Sequence, residues 1–589
     1  LAIMGTGDSY SPLEHHRELL PRLREVGKFF QEGGIEPAIW LGHTVGHGSL
    51  FTGDTPTFTS MVECDGEGNL HEQPGVFCVL DEKFIAHTAK LCSILAESGL
   101  PMLMLDDDLR LSIHGLNYGC FCPLHMETFR KRSGLDLSDE ELAKNIRTDL
   151  KLRRLWLENN GDSFYAFAEA IAKAVHAVNP EMRLGLCATP QLFFGDGADG
   201  DKLSNIFAGG TRPFIRLSGA PYWARPSEHA GEIIEFSRLQ KSWIRNPETE
   251  IFVEGDTFPH NTYVTSANML EAFTEGLAAS GMDGILSYQY SYGDHQTTDM
   301  EYHDLSVKAL PFRKALRQYS PKDWTEIGFE PGLSKDELKV RPSDPETWPL
   351  FRPPCYFCMM APRLGIPTAY GNPDAPVALF GPEVEAFSDE ELKNFLKRGA
   401  AVDAVAAEIL IRRGFDLGIQ SITPRVKSHT SDITDTGVSF LLRCFANNIF
   451  RTCIYRQDAL VRLCSTFDDG EAGIAHLKNA DGNKILFFPW DVAKARWTNF
   501  NAIRQQQWQE AYHFLTGNDL PLAVSGKADA RLHLRMSPDG STVAATIQNL
   551  SLDKMPLSRI TIGKEWQLHQ WLPTDAAAPV NITPEELGQ

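Results

Sequence analysis

Hydrophobic and polar positions along the first half of the chain alternate on two length scales. Short apolar runs fall at residues 1–4, 36–41, 101–105, 182–187, 213–217, 250–253 and 284–288. Between them lie longer stretches, such as 12–32, 82–97, 161–178, 229–244 and 267–279, with apolar residues at helical spacing. This alternation predicts repeated βα units around a parallel sheet. Each strand candidate runs into a polar or aromatic cluster, at 5–8, 42–47, 106–108, 189–191, 218–223, 254–256 and 290–294. A (β/α)8 TIM barrel has this layout, because its site is built from the C-terminal ends of the strands. Seven strands are found, so one strand and its helix are expected upstream of Leu1. The competing arrangement is an open doubly wound sheet, but no G-x-G-x-x-G follows the first strand to favour a dinucleotide fold.

The pattern changes after residue 320. Residues 320–354 are rich in Pro, Asp, Lys and Glu and read as a linker. A second α/β unit follows. It has strands at 377–380 and 400–404, a helix at 388–398 opened by a Ser388-Asp-Glu-Glu391 capping box, and a helix at 406–413 closed by Gly414. Beyond about residue 525 the period becomes two, as at 531–535 and 542–547, around a Pro538-Asp-Gly540 turn. The expected domains are a catalytic barrel at 1–320, a linker at 321–349, an α/β domain at 350–522 and a small β-sandwich at 523–589.

Composition narrows the function classes. With 56 Lys+Arg against 77 Asp+Glu the net charge is −21, which argues against sequence-independent nucleic-acid binding. No run of 18 apolar residues is present, so no membrane-spanning helix is expected. The 11 cysteines are an odd number spread over a long chain. That distribution suits a reducing compartment better than a disulfide scaffold, and points to the cytoplasm. No export signal is visible in a chain that opens at Leu1.

Two acidic strand ends carry the chemistry. Leu103-Met-Leu-Asp106-Asp107-Asp108 and Ile251-Phe-Val-Glu254-Gly-Asp256 each deliver carboxylates from an apolar strand. Crowded like charges raise at least one carboxyl pKa, as a proton donor at neutral pH requires. Two carboxyl groups facing each other across a barrel mouth are the machinery of glycoside hydrolysis. Cys120-Phe-Cys122-Pro-Leu-His125, with Cys78 upstream, puts three ligands within six residues; one more thiolate from elsewhere would complete a closed tetrahedral zinc site, the alternative being a set of buried free thiols. Cys355-x-x-Cys358 reads as incidental. His43 and His47 sit in the loop after the second strand. Tyr222, Trp223, Tyr288, Tyr290 and Tyr292 offer aromatic faces on which a sugar ring could dock.

Several segments, taken in order, resemble glycoside hydrolase family 42, the retaining β-galactosidases. They are Gly75-Val-Phe-Cys78 with its following helix, Met104-Leu-Asp-Asp-Asp108, Cys120-Phe-Cys122-Pro-Leu-His125-Met-Glu-Thr-Phe-Arg130, Val253-Glu254, and Ala278-Ala-Ser-Gly-Met-Asp-Gly-Ile285. The resemblance covers residues 1–320. It continues weakly over 350–520, which looks like the family's flavodoxin-like trimerisation domain, and the C-terminal β domain has a counterpart.

The resemblance implies an exo-acting retaining glycosidase with Glu254 as nucleophile and Asp108 as acid/base. It places Asp107 where an Asn contacts the sugar 2-hydroxyl. It implies structural zinc on Cys78, Cys120, Cys122 and His125, a homotrimer, and a glycoside or oligosaccharide substrate. Asp106, His43, Trp223, Tyr222, Tyr288, Tyr290, Glu301 and His303 are the expected substrate contacts. The chain departs from the family at four points: Asp107-Asp108 replaces Asn-Glu, no Trp follows Glu254, the family's Glu-x-x-His is matched only loosely by Glu301-Tyr-His303, and the strand-one arginine is not visible. Two other classes remain open. One is a catalytically degenerate carbohydrate-binding protein; the other is a metal-dependent hydrolase using Asp106–Asp108 with His43 or His47.

Overall fold

The computed structural model describes the chain except for residues 8–9, 48–57, 66–67, 112–117, 221–225, 259, 289–299, 337–355, 426–430, 442–448, 496–498, 527–528, 552–558, 575 and 582–589. The strands of the first half are β1 (Ala2–Gly5), β2 (Pro37–Leu41), β3 (Ser60–Cys64), β4 (Leu70–Phe77), β5 (Met102–Leu105), β6 (Arg183–Ala188), β7 (Phe214–Leu217), β8 (Glu250–Gly255) and β9 (Gly284–Ser287). Seven of them form one sheet in the order β1-β2-β5-β6-β7-β8-β9. The pairs recorded from β1 to β8 are all parallel. Each expected strand is found within one or two residues of its predicted bounds. Strand and helix follow each other as the sequence pattern required, in a TIM-barrel-like α/β arrangement. Two compact units emerge, one of residues 1–218, 240–254 and 335–352, the other of 219–239, 255–334 and 353–589.

The core of the first unit is the sheet itself. β5 and β7 are buried along their whole length. A strand covered on both faces reads as a continuous apolar run, so these strands were visible in the sequence. One helix is longer than expected. The segment predicted at 161–178 begins at Leu150 and runs to Val178, capped by Asp149, whose side chain accepts from the N–H groups of Lys151 and Leu152. Gly161 marks a close approach inside the helix. A Cβ there would meet the carbonyl oxygen of Gly197 at 2.5 Å. The β3–β4 hairpin was not foreseen, because its pattern is broken by polar residues.

The second unit holds a six-stranded sheet. Glu330–Pro331, Val377–Leu379, Ala400–Asp403 and Lys484–Phe488 run parallel, and Ala475–Lys478 and Leu460–Leu463 follow antiparallel. The helix Asp389–Arg398 opens on the expected capping box, with Ser388 and Glu391 satisfying each other's backbone N–H. The expected linker needs correction. Thr325–Ile327 pairs with Ala530–Met536, and Glu330–Pro331 pairs with Val377–Leu379. The start of that segment is therefore sheet; short strands among Pro and Asp residues escape a composition-based reading.

The expected hairpin is present, joining Ala530–Met536 to Val543–Asn549. Its first strand is not half-exposed as alternation implied. Arg531, His533 and Arg535 are all buried. Glu235 accepts from Arg238 and Arg531, and Glu326 from Arg238 and Arg535.

Candidate active site

The C-terminal end of β5 delivers three consecutive carboxylates, and they point to three different environments. Asp106 is buried, and the Trp40 indole N–H donates to its Oδ1 at 3.0 Å. Its backbone N–H donates to Thr44 Oγ1 at 3.2 Å. Asp107 keeps some exposure, 18% of its side chain, and accepts from Arg216 at 3.2 Å. Asp108 is fully buried.

Asp108, the expected acid/base, is held by backbone N–H groups. Its Oδ1 accepts from the backbone N–H of Thr44 at 2.8 Å, and its Oδ2 from Val45 at 2.9 Å and Gly46 at 2.6 Å. Three successive N–H groups form a nest around one carboxylate. A carboxylate so engaged and so enclosed is poorly placed to reach a leaving group. What it does is hold the loop after β2 in place. Gly46 is required there: its φ is +116°, and a Cβ would meet the Gly75 carbonyl oxygen at 1.9 Å.

That loop carries His43 and His47. The His47 ring lies 3.6 Å from both Asp106 Oδ2 and Asp107 Oδ1 through Nε2, and 3.8 Å from Asp108 Oδ2 through Nδ1. His43 stacks obliquely on it at 4.6 Å between centroids and meets the Tyr10 hydroxyl at 3.3 Å.

Glu254, at the end of β8, is almost wholly buried. Arg216 donates to its Oε1 at 2.9 Å and Ser218 to its Oε2 at 3.2 Å. The same Arg216 guanidinium reaches Asp107, so one planar cation links the two acidic strand ends. Sequence reasoning passed over Arg216. Its signal was a single charged residue inside the apolar run Phe214–Leu217.

The electrostatics follow from these contacts. Burial pushes the Asp106 carboxyl well above the usual carboxylate range, and the charge of Asp107 adds to it. Burial would raise Asp107 as well, but the contact with His47 and the charges of Arg216 and Arg110 hold it below that range. For His47, burial alone would lower the pKa. Asp107, Asp108 and Asp106 together outweigh that and raise it. Asp106 thus holds a proton more tightly than Asp107, and the two adjacent carboxyls differ as donor and acceptor.

The cysteine cluster lies elsewhere in the same unit. Cys78 follows β4, Cys122 caps the helix Pro123–Ser133, and His125 sits in that helix's first turn. Donor atoms of Cys78, Cys120, Cys122 and His125 all lie within 4.8 Å of one another, and all four residues are buried. Cys78 Sγ and Cys122 Sγ are 3.4 Å apart and lie 3.3 and 3.5 Å from His125 Nδ1. Tetrahedral zinc with Zn–S of about 2.3 Å needs edges of roughly 3.5–3.8 Å, so the residues fit such an ion. His125 Nε2 meets Ser163 Oγ at 3.1 Å, and the Ser163 hydroxyl donates to the Asn160 carbonyl at 2.6 Å. That leaves Nε2–H as donor and turns the Nδ1 lone pair toward the thiols. His47, Asp106 and Asp108 also bring donor atoms within 4.8 Å, but both oxygens of Asp108 already serve the backbone.

Of the other expected contacts, three belong to the second unit and the rest fall outside the described residues. Tyr288 is half-buried against His260, ring centroids 4.4 Å apart. Glu301 opens the helix Glu301–Tyr319, and His303 in its first turn pairs with Asp304 at 3.2 Å. Tyr222, Trp223, Tyr290, Tyr292 and Cys355 lie outside the described residues. Cys358 is buried near the Tyr370 hydroxyl.

No family model matches the chain, and no curated protein is significantly similar to it in sequence. Solved structures share its fold. A catalytic mutant of Gan42B, a GH42 β-galactosidase from G. stearothermophilus, superposes with a TM-score of 0.62 at 12% identity, over 95% of this chain and 91% of that one. A β-galactosidase from Bacillus circulans sp. alkalophilus gives 0.58 at 10% identity, over 93% and 92%. An α-L-fucosidase, isoenzyme 2 of Paenibacillus thiaminolyticus, gives 0.59 at 12%, over 93% and 88%. Likeness at this identity is likeness of fold. No helix among the described residues is long and apolar enough to cross a membrane.

Proposed function

We propose that the chain is a glycoside hydrolase acting on a β-linked glycoside, with Glu254 as nucleophile and the Asp106–Asp107 pair as acid/base. The observation that carries this reading is the constellation of Glu254 and Asp107 on one Arg216 guanidinium, at the ends of two strands of a parallel sheet. The fold neighbours are named for β-galactosidase and α-L-fucosidase activities, which supports glycoside chemistry without choosing the sugar.

Each group has a physical task. Arg216 and Ser218 hold and aim the Glu254 carboxyl, the group that would attack an anomeric carbon. Asp106, raised by burial, is the better proton holder of the pair. Asp107 is the more exposed of the pair and faces outward to exchange that proton. A retaining course needs the nucleophile and acid carboxyls about 5–5.5 Å apart, an inverting one roughly 6.5–9.5 Å. In this reading Asp108 is structural, and the Cys3His cluster holds a zinc ion that supports the fold and takes no part in turnover. A homotrimer remains part of the proposal.

The test is a panel of nitrophenyl glycosides offered to wild type and to Glu254→Ala. Release from at least one sugar by wild type, with a loss of 10³-fold or more in the variant, is the expected result. Equal turnover by the two proteins would remove Glu254 from the chemistry. Sugar binding without turnover would favour the degenerate carbohydrate-binding protein.

A further inference from the structure

Asp106 and Asp107 are adjacent and cannot both be ionised cheaply. Yet a general acid that has given up its proton leaves that state behind. Something must stabilise it. Arg216 is directed at Glu254 and Asp107, and lies 4.0 Å from Asp106 at its nearest. The group that meets both carboxyls equally is His47, with Nε2 at 3.6 Å from each. The loop that carries it is clamped by the third carboxylate, Asp108, through the backbone N–H groups of Thr44, Val45 and Gly46.

We propose that His47 is the positioning residue for proton transfer here: its imidazolium bridges Asp106 and Asp107 and stabilises the doubly ionised pair. The assignment rests on the hydrolase reading above and deepens it. In the first half-reaction a Glu254 oxygen bonds to the anomeric carbon, and the bond to the leaving oxygen breaks with its electron pair. That oxygen takes the proton of the Asp106–Asp107 pair, which is left doubly ionised between His47 and Arg216. In the second, water attacks the anomeric carbon, the bond to Glu254 breaks, and the pair takes the proton that water loses.

The groups facing His47 are Asp106, Asp107 and Asp108 from the end of β5 and His43 from its own loop, with Arg216, Arg110 and Glu254 beyond the carboxylates. The carboxylates raise the ring's affinity for a proton above its ordinary value, which favours the cationic bridge.

The experiment compares wild type, His47→Gln and His47→Lys on two glycosides of one sugar. One carries an alkyl aglycone; the other carries a dinitrophenyl group that departs without a proton. General acid catalysis is worth 10²–10⁴-fold. His47→Gln is expected to lose about 10- to 100-fold in kcat on the alkyl glycoside and less than about threefold on the dinitrophenyl one. Losing a neighbouring cation raises the acid's pKa, so the basic limb of kcat/KM moves to higher pH; His47→Lys brings it part of the way back. Equal losses on both substrates with an unmoved limb would mean a structural role only, and would overturn the assignment.

Nuclear magnetic resonance of labelled histidines gives a readout that needs no turnover. The His47 ring should titrate above 6.5 in wild type and lower in Asp107→Asn. A ring titrating below 6.5 in wild type also overturns it. A wild type that hydrolyses no glycoside sinks the hydrolase reading, and this assignment with it. Hydrolysis by wild type with an unmoved limb sinks the assignment alone.

Discussion

Asp108 illustrates how far a residue's neighbours decide its chemistry. Three consecutive aspartates have the same side chain and nearly the same sequence surroundings. One is enclosed by backbone N–H groups, one is buried beside an indole, and one faces a guanidinium. Their roles separate accordingly, and mutation should separate them too. Asp108→Asn replaces an acceptor-only group by one whose amide must face N–H donors. Hydrogen bonds to a charged group are worth about 1.5–3 kcal/mol each, so a loss on the order of 3 kcal/mol is expected. Asp107→Asn leaves the backbone untouched and should keep its Tm while losing 10²-fold or more in kcat. Thermal melts and turnover on both variants check this. A stable, inactive Asp108→Asn beside an active Asp107→Asn would return the acid/base role to Asp108.

At the scale of elements, the β3–β4 hairpin and the helix Pro123–Ser133 are joined by the cysteine cluster. The Phe121 backbone N–H also donates to the Val62 carbonyl in β3. Thiols and an imidazole pressed together without an ion would be poor packing; with zinc they clip two elements far apart in sequence. The expected outcome is one zinc per chain by elemental analysis, lost together with several degrees of Tm on treatment with a strong chelator. Turnover at low temperature should survive until the fold is lost, because a closed site offers no position to substrate. Chelation that stopped turnover while leaving the melt unchanged would move the metal to the chemistry. The sequence announced this cluster by spacing for three of its ligands. Cys78 was visible upstream, but its place as the fourth ligand came only from resemblance, since nothing local ties residue 78 to residue 120.

The whole molecule carries an acid-sensitive element in its second unit. His476 lies buried on the strand Ala475–Lys478 and stacks on Phe514, centroids 4.3 Å apart and planes 7° apart. Burial, with the charge of Arg462, pulls its pKa down to about 4. The folded chain therefore holds this ring neutral while the unfolded chain protonates it near 6.5. Its contribution is fully present above pH 6.5 and is lost as pH falls toward 4, at about 1.4 kcal/mol per pH unit. Urea unfolding at pH 7 and pH 5 should show the second unit losing about 2 kcal/mol from this ring. In His476→Phe that part of the loss should vanish. An unchanged pH dependence in the variant would assign the acid sensitivity to other groups.

The sequence by itself determined the order of strands and helices in the first half, because strands buried on both faces must be apolar throughout and helices covering them must be amphipathic. It also determined the capping box at Ser388 and the turn at 538–540, where local hydrogen bonding is encoded within four residues. It pointed to Glu254 and to the aspartate run as the acidic strand ends. The surroundings of each aspartate came from the tertiary structure alone. Only it placed Arg216 between the two acidic ends, put His47 between Asp106 and Asp107, and buried arginines in a strand that reads as alternating. The physical reason is common to all of these. A charge's role depends on the dipoles and ions within a few ångströms of it, and those arrive from residues tens to hundreds of positions away along the chain.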